Sequence, residues 1–127
     1  MHGWPGFSVV GKDGSEAAWL IVQHAVLDTK FMEQCLSLLK EAVKNNEAEG
    51  WCLAYLQDRL LTMAGKQQIY GTQHDIDENG LAYPLSIVQP EKVDELRKQL
   101  GIEPLAIATK RIQERYNTVL INRKRDA

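Results

Sequence analysis

From residue 15 onward the chain sets its apolar side chains at steps of three and four through three successive stretches, the spacing of helices. Ser15 suits an N-cap, because its hydroxyl can accept from a first-turn amide. The first helix is expected over 16–27, where Ala17, Ala18, Trp19, Leu20, Ile21, Val22, Ala25, Val26 and Leu27 cover nearly the whole circumference. A helix apolar on almost every side belongs in the centre of a fold. Asp28 is the expected cap of the next helix, over 29–45, with Phe31, Cys35, Leu38, Leu39, Ala42 and Val43 inward and Asn45-Asn46 at its end. A third helix is expected over 49–64, with Leu53, Leu56, Leu60 and Met63 as its core stripe and Gly65 as the stop.

The period then changes. Residues 68–76 read as a strand, Asp77-Glu78-Asn79-Gly80 as a turn, and residues 81–85 as the returning strand. Pro84 confines that strand to an edge. A two-stranded ribbon is marginal alone, so it must pack on the helices. Pro90 suits the first position of a short helix carrying Val93, Leu96, Arg97 and Leu100 and ended by Gly101. Pro104 opens the last helix, over 104–121, with Leu105, Ala108, Ile112, Tyr116 and Val119 on one side. The fold class expected is therefore mainly α, in the α+β sense. It is a small bundle of about five helices with one two-stranded antiparallel hairpin near 68–87. Residues 1–14, with Gly3, Pro5, Gly6, Gly11 and Gly14, read as an irregular arm anchored by Trp4 and Phe7; 15–122 read as a single helical domain and 123–127 as a basic tail.

Length and charge narrow the function classes. A chain of 127 residues is one domain, and 44% apolar residues suffice for one core. A net charge of −2 argues against nucleic acid, whose phosphates call for a basic excess. The one basic cluster, Arg123-Lys124-Arg125, reads as a solvated tail. No apolar run is long enough for a membrane helix, and no secretory signal is visible. Cys35 and Cys52 fall in apolar helical stretches outside any C-x-x-C pair, so reduced thiols and a cytoplasmic setting are expected.

Three groups of polar residues stand out. Gln23 and His24 interrupt the otherwise apolar first helix, and a buried polar group needs a partner or a pocket. His24 is either a core histidine bonded to a carbonyl or a general acid or base. Tyr70-Gly71-Thr72-Gln73-His74-Asp75 gathers a phenol, a hydroxyl, an amide, an imidazole and a carboxylate in one stretch. It is either a polar edge strand or part of a site, and Gly71 signals a bulge or a close backbone approach. On the third helix Tyr55 and Arg59 share a face, while Asp58 and Arg59 diverge and should not pair with each other. Arg59 either holds an anion or joins a structural salt bridge. No metal-ligand spacing, Walker loop or nucleophile elbow is present, so neither metal nor cofactor is expected.

The run Ala17-Ala18-Trp19-Leu20-Ile21-Val22-Gln23-His24-Ala25 followed by Asp28, the upstream Gly3-Trp4-Pro5, Leu53-Ala54-Tyr55-Leu56-x-Asp58-Arg59, Ile69-Tyr70-Gly71-Thr72-Gln73 and Val93-Asp94-x-x-Arg97-x-x-x-Gly101 together resemble a bacterial family of unknown function. The resemblance spans roughly residues 3–105. It implies that Gln23, His24, Asp58, Arg59, Tyr70, Thr72 and Gln73 recur there as a polar set, and it brings no established activity. Members often carry extra sequence before Gly3-Trp4-Pro5, so this chain reads as a truncated or minimal version. The position of His74 is often aromatic among them, and no family role passes to it.

Two readings follow. In the first, the chain is a small enzyme or small-molecule-binding domain for a polar or anionic ligand. His24 is then the acid or base, and Gln23, Tyr55, Asp58, Arg59, Tyr70, Thr72 and Gln73 are the substrate-binding set. In the second, it is a non-catalytic interaction or regulatory module using the ribbon edge and the last helix. The sequence leaves the oligomeric state open.

Overall fold

Two antiparallel neighbours, helix α1 (Thr29–Lys44) and helix α2 (Gly50–Met63), hold the centre of the structure. This is a computed structural model, and it describes Gly6 and residues 29–126. The expected arm apart from Gly6, and the expected helix over 16–27 with its cap Asp28, lie outside the described residues. That helix carries Trp19, Ile21, Val22, Gln23 and His24.

The inward face of α1 is Met32, Cys35, Leu39 and Ala42, spaced by three and four as the pattern requires. They meet Cys52 and Leu56 of α2, with Ala48 from the connection closing the cluster. Both cysteines are buried and unbridged. Asn46 ends α1 at φ +58, a conformation its short amide tolerates, and the Glu47 amide bonds back to the Ala42 carbonyl at 2.8 Å.

Helix α2 departs from the expected stripe. Of Leu53, Leu56, Leu60 and Met63, only Leu56 is fully buried, and Met63 is exposed. The buried positions are Cys52, Ala54, Leu56 and Asp58. At 3.6 residues per turn, Cys52 and Leu56 share one face while Ala54 and Asp58 share a nearly opposite one. The helix is thus packed on two sides, by α1 and by the segment over 68–72 that bonds to Asp58.

The ribbon is shorter than the sequence suggested. Strand β1 (His74–Ile76) pairs antiparallel with β2 (Ala82–Pro84) in the register His74↔Pro84, Asp75↔Tyr83, Ile76↔Ala82. The turn is the expected one, with Asp77 Oδ1 accepting from the amides of Asn79 at 2.8 Å and Leu81 at 2.9 Å. Residues 69–73 do not extend the strand, because Asp58 takes the amides of Ile69, Tyr70 and Thr72 and Gln68 takes that of Gln73. Upstream, Gln68 touches Ile87 in an isolated parallel bridge.

A 3₁₀ turn (Pro90–Lys92) leads into α3 (Val93–Gln99), with Pro90 at its first position. Gly101 at φ +71 turns the chain out of the helix and lets the Ile102 amide reach the Arg97 carbonyl at 2.9 Å. Helix α4 (Leu105–Asp126) is opened by Asp94, whose Oδ1 accepts from the Leu105 amide at 2.8 Å. It runs further than expected. Arg123, Lys124 and Arg125 form its last turn rather than a tail, where their charges suit the negative end of the helix dipole. None of its side chains described here is buried, and Val119, expected inward, is exposed. Polar contacts hold α4 to the ribbon instead. Gln113 accepts from the Ala82 amide at 2.7 Å and donates to the Gly80 carbonyl at 2.8 Å.

The described part is mainly helical, with four α-helices and one two-stranded antiparallel sheet. Among the described residues no helix is long and apolar enough to cross a membrane.

Candidate functional site

Of the polar residues singled out, Asp58 on α2 and Tyr70 and Thr72 in the segment after it meet at one buried carboxylate. Asp58 has no exposed surface. Its Oδ1 accepts from the amides of Ile69 at 2.8 Å and Tyr70 at 3.0 Å. Its Oδ2 accepts from the Thr72 amide at 3.0 Å and the Thr72 hydroxyl at 2.8 Å. A carboxylate removed from water is tolerable only when its lone pairs are filled in this way. Among the described residues no cation bonds to Asp58; three backbone amides and one hydroxyl stand in its place.

Gly71 lets the segment wrap around Asp58. It lies at φ +68, and a Cβ there would come within 2.9 Å of Leu105 Cδ1. Beside it, Gln68 is fully buried and fully used. Its Nε2 donates to the carbonyls of Gln73 at 2.9 Å and Leu85 at 2.8 Å, and its Oε1 accepts from the Gln73 amide at 2.9 Å. The Gln73 side chain donates to Thr72 Oγ1 at 3.1 Å.

Arg97 of α3 locks the far side of the same segment. It is only 2% exposed. Its Nε donates to the Glu103 carbonyl at 2.6 Å and its Nη1 to the Tyr70 carbonyl at 2.7 Å. Burial pushes its pKa down, while Tyr55, Glu103, Asp94 and Asp58 nearby oppose the shift, and a guanidinium stays charged throughout. Among the described residues no carboxylate pairs with it directly and no acceptor meets its Nη2.

Arg97 also lines a cleft of about 300 Å³, at the small end of ligand pockets. The Trp51 and Tyr55 rings stand one helical turn apart on α2 and meet edge to face, with centroids 6.1 Å apart at 90°. Glu103 and Arg111 complete the polar lining. They form a two-bonded fork of 2.6 and 2.7 Å, with the Arg111 side chain 58% exposed.

The sequence-selected residues therefore divide. Asp58, Thr72, Gln73 and the Tyr70 backbone form the hub, and Tyr55 faces the cleft. The Tyr70 phenol is half-buried and its pKa is raised by burial and by the Asp58 charge. Arg59 is half-buried one turn beyond Tyr55, and its Nε has no hydrogen-bond partner among the described residues. Gln23 and His24, the expected acid–base pair, lie outside the described residues; of the other residues expected to line a pocket with them, Arg59, Tyr70 and Thr72, the Tyr70 amide and the Thr72 amide and hydroxyl share the Asp58 carboxylate. His74 joins α4 through Nε2 and Thr109 Oγ1 at 2.8 Å. Burial lowers its pKa, Arg97 adds to the shift and the Thr72 backbone opposes it.

Sequence reasoning missed Gln68, Trp51, Glu103 and Arg111, and it passed over Arg97 as a site residue. Arg97 alone left a signal, since a charged residue occupied the inward register of the short helix. Among the described residues no three His, Cys, Asp or Glu side chains are grouped to hold a metal ion.

Residues 1–120, which include the hub, Arg97 and Arg111, match a family model described as a family of unknown function. The chain belongs to DUF6624. The DUF6624 match covers every described group that contributes to the hub and the cleft. No curated protein and no solved structure matches the chain.

Proposed function

We propose that this DUF6624 chain binds a small polar, anionic molecule in the cleft beside Arg97. The observation that carries the reading is a guanidinium 2% exposed, held by two backbone carbonyls, which lines a cleft with its Nη2 still lacking an acceptor among the described residues. A buried cation gains most from a carboxylate or phosphate, and none of the described acids pairs with it. The Asp58 hub supports the reading indirectly, because it fixes the Tyr70 carbonyl that aims Arg97.

In the fuller form of the proposal the chain is a small enzyme. His24 acts as acid or base, and Gln23 orients the imidazole or the substrate. Arg59, Tyr70, Thr72 and Gln73 complete the polar surroundings. Its support is the sequence pattern, in which Gln23 and His24 alone break an apolar helix. Asp58 enters this version as a positioning residue, since its carboxylate is enclosed. A cytoplasmic setting belongs to the proposal and is supported by two buried, unbridged cysteines. The rival reading, a non-catalytic interaction module, is favoured by one observation: α4 exposes Ile107, Val119 and Ile121 and buries none of its described side chains.

Ligand-observed NMR with small carboxylates, inorganic phosphate and neutral amides tests the binding reading. Anions should bind and raise the melting temperature, and Arg97→Lys, if folded by circular dichroism, should weaken them. Equal binding of amides and anions, or none of either, would rule the reading out. His24→Gln tests the enzyme form. It should abolish turnover of any substrate found while leaving the melting temperature nearly unchanged. A lowered melting temperature with turnover intact would make His24 structural.

A further inference from the structure

We infer that two copies of this chain associate, the end of α4 in each lying across the outer face of the ribbon in the other. The first surface is an overhang. Contacts of α4 step along the ribbon toward its turn: Thr109 meets His74, Gln113 meets Ala82 and Gly80, and Tyr116 lies beside Gly80. Residues 117–126 then run on past the turn, about 15 Å of helix at 1.5 Å per residue. Arg115, Val119 and Arg123 follow one another at four-residue steps on one side of this end, and all three are exposed. From Glu114 to Asp126 the helix holds Arg115, Arg123, Lys124 and Arg125 against those two acids. Among the described residues none of the four cations is in an ion pair.

The second surface is the ribbon face turned away from His74. Strand alternation puts the paired Asp75 and Tyr83 on that face, with Leu81 two residues before Tyr83 on the same side. Tyr83 is 42% and Leu81 57% exposed. Asp75, Asp77 and Glu78 rim them, and no Lys or Arg falls between Lys66 and Lys92. Each surface thus sets apolar area among charges of one sign, and the two signs are opposite, which steers and registers a contact. The chain supplies both surfaces itself, so the occupant is a second copy. Because the overhang starts where the ribbon turns, a two-fold axis near Gly80 forms both contacts at once. The area is small for a protein interface, so the dimer is weak and sensitive to salt. None of these residues lines the Arg97 cleft.

Sedimentation of the full chain over a range of concentrations tests this. A monomer–dimer equilibrium should appear and move toward monomer at high salt. Two charge-reversed chains then locate the contact. One carries Asp75→Lys with Glu78→Lys on the ribbon, the other Arg115→Glu with Arg123→Glu on α4, all at exposed side chains. Each should be monomeric alone. Mixed in equal amounts they should dimerise, because a reversed ribbon then meets a reversed helix end. Circular dichroism checks that each folds, with Glu78→Lys and Arg123→Glu alone as the milder pair. Tyr83→Ser should weaken the dimer of the unaltered chain.

A chain that stays monomeric at every concentration would overturn the inference. So would a dimer that either reversed chain still forms alone, or reversed chains that stay apart when mixed.

Discussion

Asp58 shows how far a single carboxylate can organise a chain. It gathers four donors from residues that are 11 to 14 positions away. Asp58→Ala would leave three amides and a hydroxyl without their acceptor, and should cost about 3 kcal/mol or more in a denaturant titration. Asp58→Asn should cost less, because one oxygen remains to serve two of the amides. The sequence did indicate that Asp58 and Arg59 point apart, since neighbours on a helix diverge by about 100°. It could not indicate that the partners of Asp58 are backbone groups, because every residue carries those. His74 sets a second expectation at this scale. Its folded pKa lies below its ordinary value of about 6.5, so the unfolded chain takes up a proton first as pH falls. The stability it contributes should be present above about pH 6.5 and lost progressively below it. His74→Gln should flatten that part of a plot of melting temperature against pH, and an unchanged slope would clear His74 of the effect.

At the scale of elements, helix α2 carries most of the explanation. Leu56 has no exposed surface and sits in the α1–α2 cluster. Leu56→Ala should cost about 2–5 kcal/mol by chemical denaturation, as deletions from a packed core do. Gly50, at the start of the same helix, makes a different kind of contact. A Cβ there would lie 2.5 Å from the Leu100 carbonyl oxygen, which is backbone and cannot swing aside. Gly50→Ala should therefore lower the melting temperature although it adds only a methyl group, and a neutral result would mean that the α2–α3 junction yields. The boundaries of α1, α2 and α3 were legible because their caps and stops are local signals: Asn46, Gly65, Pro90 and Gly101. The two-sided burial of α2 was not. A helix packed on opposite faces can show a conventional stripe in which only Leu56 is fully enclosed. The strand over 68–76 was overread for a related reason. Ile69, Tyr70 and Thr72 are good strand residues, and only the buried acid competing for their amides draws them out of the ladder.

Seen whole, the molecule assembles its cleft from places that no local pattern connects. Trp51 and Tyr55 come from α2, Arg97 from α3, Glu103 from the loop after it and Arg111 from α4. The family resemblance touched Tyr55 and Arg97 but gave no reason to join them to Arg111. Helix α4 contrasts with this centre. Its first half is tied down by Asp94, Thr109 and Gln113, while residues 121–125 are exposed. Hydrogen–deuterium exchange should report that contrast as a gradient in time. The Thr72 amide, enclosed against Asp58, should be among the last to exchange, on the clock of global unfolding. Amides near the C-terminal end of α4 should exchange through fraying of that end alone, long before Thr72. The same gradient gives α4 two mechanical halves: a clamp on the ribbon, and a lever whose end can unwind and rewind without disturbing the hub.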